Sequence, residues 1–315
     1  MNRIYLFLLA VAALLSSGCK KTSITRNDPG QLVSPRFAVS EGTMPFTGAL
    51  EIYPCEPGTT IYYGNYIDDR LTPFNALYTI SGGSVHNALR PVLLPVGDYS
   101  LIYWGVSQAQ EPTYTKGAVL EPSLSLNGNL AHQNYSLRKY PADTTYYPVY
   151  DFVYARQTVD IGAQSIAVSL KRVVSGLTVI LQKEDGSKLD PEIASINVLI
   201  GNIAEDLNFD TGEAENQTKT VRFPITVADD SLTAVNPVVL VFPSAPKPPL
   251  KIVLTLKNGT ERTFRTQLEN TLTANTKLTV TVNMGEIFSS ETETGGFRVG
   301  KWEERSETVH ADAGS

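Results

Sequence analysis

The segment "TANTKLTVTVNMG" (Thr273–Gly285) shows most plainly how this chain folds. Leu278, Val280, Val282 and Met284 alternate with polar residues, so they project from one side of an extended backbone. Such alternation is typical of a strand with one face in a hydrophobic core and the other in water. The segment therefore predicts a half-buried strand of a β-sheet.

Similar short-period patterns recur along most of the chain. Turn-forming Gly, Pro, Asn and Asp separate short apolar segments, among them "ALEIYPC", "DYSLIYWG", "SINVLIGNI" and "KTVRFPITV". We find no convincing amphipathic helix longer than two or three turns. Many short strands between turn residues favour β-sandwiches, and a length of 315 residues favours two of them. We therefore predict an all-β protein of two tandem β-sandwich domains.

A change of phase interrupts the segment "SIAVSLKRVVSGLTVIL". The apolar residues occupy even-numbered positions up to Leu170 and odd-numbered positions from Leu177 onwards. Because side chains alternate with a period of two, a slip of one residue must be absorbed between them. We predict a bulge or bend between Lys171 and Gly176, where the glycine would ease it.

The segment "KIVLTLKNGTERTF" predicts a hairpin whose register depends on its loop. A two-residue Asn258-Gly259 turn would pair Val253 with Phe264 and turn the aromatic ring away from the apolar face. A three-residue loop, with Gly259 in the left-handed conformation, would pair Ile252 with Phe264 instead. We predict the three-residue loop because it gathers the apolar residues on one face.

The overall charge argues against a nucleic-acid partner. The chain has a net charge of −6 and a pI near 5.2, and its lysines and arginines are scattered along the sequence. Nucleic-acid binding requires a concentrated basic face. We therefore expect no nucleic-acid binding.

Residues 1–18 resemble a secretory signal peptide. Arg3 precedes a run of twelve apolar residues, "IYLFLLAVAALL", which Ser16, Ser17 and Gly18 follow. Twelve helical residues extend only about 18 Å, against about 30 Å for a hydrocarbon core, so this segment is short for a permanent membrane anchor. We predict that the rest of the chain is exported.

The chain has two cysteines, Cys19 and Cys55. Small residues directly before Cys19 resemble the lipobox of bacterial lipoproteins, with Ser16 where leucine is usual. In such proteins the cysteine thiol receives diacylglycerol and becomes the first residue of the mature chain. The alternative is a disulfide between the two cysteines. We predict lipidation of Cys19, and we predict that Cys55 is an inert, packed thiol because no basic group adjoins it in sequence.

No constellation of residues points to catalysis, a metal or a cofactor. His86, His132 and His310 lie in loop-like or polar contexts, without the spacing of zinc ligands and without a G-x-S-x-G nucleophile motif. The acidic pairs Asp68-Asp69 and Asp229-Asp230 are typical of solvated loops. The segment "EDLNFDTGEAE" only loosely matches a calcium-binding loop. We predict no enzymatic activity, no metal and no cofactor.

Tyrosines are densest in "YYGNY" (Tyr62–Tyr66) and "TTYYPVYDFVYA" (Thr144–Ala155). Tyrosines on alternating strands are usually half-buried within a sandwich. The alternative is a surface that stacks against glycans or contacts another protein. We favour burial and keep a surface that binds a glycan or host ligand as the alternative.

Several segments together resemble the fimbrillin superfamily of Bacteroidales. They are "LPVGDYSLIYWG", "YDFVYAR", "IAVSLKRVVSGLTVIL", and "TANTKLTVTVNMGEI" followed by "FRVGKWEE". Their order and spacing carry the resemblance, which spans most of the chain after the signal peptide. It implies two transthyretin-like, Greek-key β-sandwich domains and export to the outer membrane as a lipoprotein. It also implies assembly with fimbrial subunits by donor-strand exchange, in which a strand of one subunit completes a sheet of another.

The predicted organisation has five parts. A signal peptide spans residues 1–18 and a tether residues 19–34. An N-terminal sandwich spans residues 35–163, a C-terminal sandwich residues 164–304, and a polar tail residues 305–315.

Three functions follow as hypotheses. The first is a fimbrial anchor or minor structural subunit, held at the cell surface in the outer membrane by the lipid on Cys19. The second is a surface lipoprotein that binds glycans, and the third and weakest is a hydrolase. Major subunits of the superfamily lose the segment up to an arginine, and Arg26, Arg36 and Arg70 are the candidate positions here.

Overall fold

The computed structural model describes residues 30–107, 119–162, 165–284 and 303–310. Within these residues almost all regular structure is β-strand, together with one 3-10 turn at Leu130–His132 that Asn129 caps. The all-β prediction is confirmed. The signal peptide, Cys19, Arg26 and most of the predicted tether lie outside the described residues.

The first twelve strands are β1 (Leu32–Val33), β2 (Arg36–Glu41), β3 (Met44–Pro45), β4 (Gly48–Cys55), β5 (Asn65–Ile67), β6 (Arg70–Thr72), β7 (Ala76–Ser81), β8 (Ser84–Arg90), β9 (Leu94–Pro95), β10 (Asp98–Ser107), β11 (Val119–Leu120) and β12 (Asn134–Leu137). The remaining strands are β13 (Phe152–Asp160), β14 (Ser165–Arg172), β15 (Ser175–Lys183), β16 (Ile193–Asn208), β17 (Ala214–Val227), β18 (Thr233–Val235), β19 (Val239–Val241), β20 (Pro249–Leu256), β21 (Glu261–Gln267), β22 (Thr276–Met284) and β23 (Glu303–His310).

The first sheet closes on itself. Its strand order is β14-β13-β10-β4-β7-β8-β2-β3, and β2 also pairs with β14 in a parallel ladder. The inward side chains of this closed sheet form the smaller of two hydrophobic cores, which includes Leu50, Ile52, Leu101 and Tyr103. Closure leaves β2 with a partner strand on each side.

The second sheet system contains the larger core. In it, β15 and β22 form a parallel pair, while β16 lies between β17 and β20 in antiparallel ladders. The alternation predicted for β22 is confirmed, because Leu278, Val280, Val282 and Met284 are buried while the residues between them are half-exposed. These four side chains belong to the larger core.

Both local predictions of register are confirmed. Ile252 pairs with Phe264, and the amide of Leu256 donates to the Thr260 carbonyl at 2.8 Å, with Gly259 at a φ of +82°. The predicted change of phase occurs at Val173 and Val174, where the chain leaves β14 and enters β15 in the other sheet system.

Strand β14 belongs to the first sheet. Ile166, Val168 and Leu170 lie in the smaller core, and β14 pairs with β13 and β2. The predicted organisation placed residue 164 at the start of the second sandwich. On the basis of this pairing, we propose instead that the two units divide after Arg172, while the tandem transthyretin-like arrangement stays a prediction.

The two sheet systems are interlocked. Strand β12 precedes β13 and β14 in sequence, yet it pairs with β16 of the second system. At the other end of the chain, residues 305–310, predicted to be a polar tail, form most of β23, which pairs in parallel with β22.

Candidate assembly site around strand β2

Strand β2 is held by its side chains as well as by its backbone. Phe37 and Val39 are 5% and 3% exposed, and six residues of β2 pair in register with β14. The Phe37 ring makes edge contacts with Tyr78 and Tyr103, at centroid distances of 5.5 Å and 6.3 Å. Removing β2 would therefore open the smaller core to water.

A buried guanidinium holds the C-terminal end of β2. The Arg172 Nη1 atom lies 2.6 Å from Glu41 Oε1, and Arg172 Nε lies 2.6 Å from Asp151 Oδ1. The side chain of Arg172 is 4% exposed and also donates to Asn275 Oδ1 at 3.4 Å. We call Arg172 and its partners Glu41, Asp151 and Asn275 the Arg172 latch. Because Asn275 directly precedes β22, this latch links β2, the entry to β13 and the second sheet system.

The sequence alone does not identify the Arg172 latch, although the strand pattern of β14 contains a signal for it. Arg172 continues the buried phase of β14 after Ile166, Val168 and Leu170. A charged residue in a buried phase requires an opposite charge, since an unpaired buried ion is costly. The partners, Glu41 and Asp151, are distant in sequence, so the pattern indicates a need for partners without identifying them.

Cleavage at the candidate arginines would not remove β2 on its own. Arg36 is the first residue of β2, so cleavage after it would leave Phe37–Glu41 in place. From Phe37 to Asp69 the sequence has no lysine or arginine. Arg70 lies in the β5–β6 hairpin, beyond the core strand β4. Arginine-specific cleavage therefore cannot cut between β2 and β4.

Aromatic side chains join the two sheet systems. Trp104 is 1% exposed, and its indole Nε1–H donates to the Phe209 carbonyl at 2.9 Å. Its ring lies 4.9 Å from Tyr135 and 5.1 Å from Tyr154, centroid to centroid. Trp104 belongs to the first sheet and Phe209 follows β16, so the larger core spans both systems.

An ion pair closes the same junction at its rim. Arg156 Nη1 lies 2.9 Å from Asp210 Oδ2, and the Tyr154 hydroxyl donates to the Asp210 carbonyl. Burial raises the pKa of Asp210, and the nearby Arg156 charge offsets part of that rise. The contact between the two sheet systems is therefore apolar in the middle, around Trp104, and has an ion pair between Arg156 and Asp210 at its edge.

The edge strand β23 is attached through a carboxylate. Glu307 Oε1 accepts from the Glu269 amide at 2.8 Å, while Oε2 accepts from the Asn270 amide at 3.0 Å. The Asn270 side-chain amide donates to Oε2 as well, at 3.2 Å. Glu307 is 9% exposed, so these donors replace the water that a carboxylate would otherwise bind.

The residues that were considered as candidates for chemistry lie in different parts of the fold. Cys55 is buried and unbonded to another cysteine, and burial raises the pKa of its thiol to about 12. His86 and His132 are exposed. Asp68 and Asp69 form the β5–β6 turn, both at positive φ. No group of three or more potential metal ligands occurs among the described residues.

The tyrosines of "YYGNY" are buried. Tyr62, Tyr63 and Tyr66 are 0%, 7% and 3% exposed. The preferred prediction of burial is therefore confirmed for these three residues, and they offer no surface on which a glycan could stack.

In the described part of the chain, no helix has the length and apolar character needed to cross a membrane.

This architecture defines an all-β, sandwich-like class of protein with two interlocked cores. A model of the fimbrillin-A associated anchor proteins Mfa1 and Mfa2 matches residues 44–308, more than four-fifths of the chain. The chain belongs to this family of fimbrial anchor proteins.

Three bacterial proteins are among the solved structures that this chain resembles. The fimbrial anchor protein Mfa2 from Porphyromonas gingivalis is 17% identical, with a TM-score of 0.47 over 76% of this chain and 83% of that one. A candidate cell adhesion protein from Bacteroides uniformis is 16% identical, with a TM-score of 0.46 over 81% and 93%. A candidate adhesin from Bacteroides ovatus is 10% identical, with a TM-score of 0.48 over 80% and 87%. Comparison of the sequence with curated proteins gives no match.

Proposed function

We propose that this protein is a lipid-anchored fimbrial anchor or minor structural subunit. Diacylglycerol on Cys19 would hold it in the outer membrane, with the folded part on the cell surface. Fimbrial subunits would be its partners, joined by donor-strand exchange. In this proposal the protein has no enzymatic role.

The observation that carries the anchor proposal is the place of β2 within the closed first sheet. A subunit that accepts a partner's strand needs an open groove, and here β2 fills the first sheet. The Arg172 latch holds β2, and the absence of arginine from Phe37 to Asp69 keeps an arginine-specific protease from removing β2 without the core strand β4. Such a subunit would donate a strand to a neighbouring subunit but would not accept one at this position. The fibre would therefore end at this subunit.

In this proposal the segment between Cys19 and β2 joins the lipid to the folded part. Cys19 precedes Arg36 by seventeen positions, with Arg26 between them. Residues 20–35 could extend by about 50 Å at roughly 3.3 Å per residue, enough to clear lipid head groups. Cleavage at Arg26, Arg36 or Arg70 would remove the lipid, and the first two cuts would leave Phe37–Glu41 of β2 in place.

Mass spectrometry of the protein isolated from assembled fibres tests the proposal. We expect a diacylated Cys19 that is continuous with the β2 sequence. A chain that starts after an arginine in the fibre would instead indicate a polymerising subunit and contradict the anchor role.

Disruption of the gene gives a second test. Cells without the protein should shed or misassemble their fimbriae, and a Cys19→Ser variant should do the same because it cannot be acylated. Unchanged fimbriae in both strains would refute the proposal.

A further inference from the structure

A groove of about 570 Å³ lies on the outer face of the second sheet system. Strands β16, β17, β20 and β21 form its floor, and the segment 144–146 forms one wall. Three basic side chains, Lys219, Lys251 and Arg265, line it. The groove lies outside the β2 site and the junction of the two cores.

Two of these cations are direct neighbours across strands. Lys251 pairs in register with Arg265 and, on its other side, with Leu199. Leu250 and Ile252 on either side of Lys251 are buried, so Lys251 projects from the outer face, as does Arg265 next to the inward Phe264. Like charges directly opposite one another destabilise an antiparallel pair.

Neither of these two cations is neutralised within the described part of the chain. There, Lys219 lies 2.9 Å from Glu205 and Arg222 lies 2.6 Å from Asp143, whereas Lys251 and Arg265 have no carboxylate within 4.0 Å. Acidic residues outnumber basic ones by 32 to 26 in the chain, so acidic partners are not scarce. An anion in the groove would relieve this repulsion.

The wall of the groove is fixed and carries both hydroxyl and aromatic groups. The Tyr146 amide donates to the Thr220 carbonyl at 2.9 Å, and the Arg222 amide donates to the Tyr146 carbonyl at 3.0 Å. The Tyr146 ring is half-buried, with Lys219 Nζ 6.0 Å from its centroid. Thr144 and Thr218, both exposed, add hydroxyl groups to the lining.

We propose that this groove binds an anionic saccharide, one that carries carboxylate or sulfate groups. A guanidinium binds such groups through two parallel hydrogen bonds, and a lysine adds a point charge. An aromatic ring offers an apolar face to the carbon side of a sugar ring, and hydroxyl groups exchange hydrogen bonds with it. The groove volume lies within the range of small-ligand sites, about 300–1,000 Å³. A protein partner would instead require a broad interface of about 800 Å² on each side.

This proposal is independent of the anchor role, and binding of defined oligosaccharides tests it. Isothermal titration would compare hexamers of galacturonic acid and of chondroitin sulfate with neutral maltohexaose and with hexaglutamate. The protein is tested as the wild type, as K251Q/R265Q, and as the matched control K188Q/R70Q. Each double variant removes two positive charges, but Lys188 and Arg70 are exposed residues outside the groove.

We expect at least one anionic hexamer to bind the wild type and the control, and to bind K251Q/R265Q at least about tenfold more weakly, a difference of about 1.4 kcal/mol. Affinity should fall as salt is added. K251Q/R265Q should melt no lower than the wild type, because the substitutions remove a repulsion. A Tyr146→Ala variant should also bind more weakly.

Four outcomes would overturn the proposal. They are failure of both anionic hexamers to bind, equal weakening in the two double variants, binding of maltohexaose as tight as that of the anionic hexamers, and tighter binding of hexaglutamate. The last result would assign the groove to an acidic protein partner.

Discussion

The guanidinium of Arg172 lies 2.6 Å from the carboxylate of Glu41. This ion pair joins two strands through residues that are 131 positions apart in sequence. Arg172 belongs to β14 and Glu41 ends β2, so this contact fixes the strand that closes the first sheet. This ion pair therefore adds to the ladder with β14 and to the packing of Phe37 in fixing the position of β2.

Arg172→Ala should strongly destabilise the protein. It would leave the buried carboxylate of Asp151 and the half-buried carboxylate of Glu41 without their cation, and breaking a buried ion pair costs about 3–5 kcal/mol. Arg172→Lys should rescue only part of this loss, since an ammonium cannot reproduce the fork that contacts both partners. Urea denaturation followed by circular dichroism measures the free energy of unfolding.

Lys171→Ala is the matched control for the Arg172 latch. Lys171 is the exposed neighbour of Arg172 on the same strand, and its main contact is with the Tyr154 ring at 5.2 Å. A surface substitution of this kind should change the free energy of unfolding by less than about 1 kcal/mol. Equal losses in the two variants would show that the latch does not stabilise β2.

Trp104 should make the two cores unfold together. Trp104→Ala removes the ring that contacts Tyr135, Tyr154 and Phe209, and should cost about 3–5 kcal/mol. Trp104→Phe retains most of the packing but leaves the Phe209 carbonyl without its donor, at a cost of about 1–3 kcal/mol. Calorimetry should give one transition for the wild type and two for Trp104→Ala. Two separate transitions in the wild type would contradict coupling through this junction.

Glu307 should hold β23 against β22. Glu307→Ala removes the acceptor for three N–H groups of Glu269 and Asn270, so β23 should detach more often. Hydrogen exchange at the β22 amides should then accelerate by at least about tenfold, a change of about 1.4 kcal/mol in the opening free energy. Thr308→Ala, a half-buried neighbour, is the control and should leave exchange nearly unchanged.

How much the sequence predicts depends on the range of the interactions. Alternation along β22 and the loop at Gly259 are local patterns, so strand identity and hairpin register can be read from neighbouring residues. The pairing of β2 with β14 and of β12 with β16 joins segments distant in sequence, and no local pattern encodes it. The partners of Arg172 and Glu307 cannot be identified from the sequence for the same reason. A charged residue at a position where the strand pattern predicts burial does indicate that such partners exist.

Cys55 should be inert as a thiol in the folded protein. Burial raises its pKa to about 12, so almost no thiolate is present at neutral pH. In a Cys19→Ser variant, where Cys55 is the remaining cysteine, a thiol reagent at pH 8 should react only after denaturant is added. Rapid reaction in the native state would show that the Cys55 thiol is accessible to solvent and is not buried in the folded protein.

The same burial predicts a loss of stability at alkaline pH. The folded pKa of Cys55 and that of Tyr78 are both raised to about 12 by burial, above the ordinary values of 9.0 and 10.0. Folding therefore favours the protonated forms, so their contribution is complete below about pH 9 and is lost as the pH rises towards 12. The free energy of unfolding should fall across this window, and less steeply in a Cys55→Ala variant.

The β20–β21 hairpin should respond to the length of its loop. Deleting Gly259 leaves two loop residues, which would shift the register and turn Phe264 out of the face that it shares with Ile252. Gly259→Ala keeps the length but places a side chain at a φ of +82°, with no atom close to the added carbon, so only the backbone cost of about 1–2 kcal/mol applies. The deletion should therefore cost clearly more than the substitution in urea denaturation. Equal costs would mean that the conformation of Gly259, and not the register of Phe264, determines the stability of this hairpin.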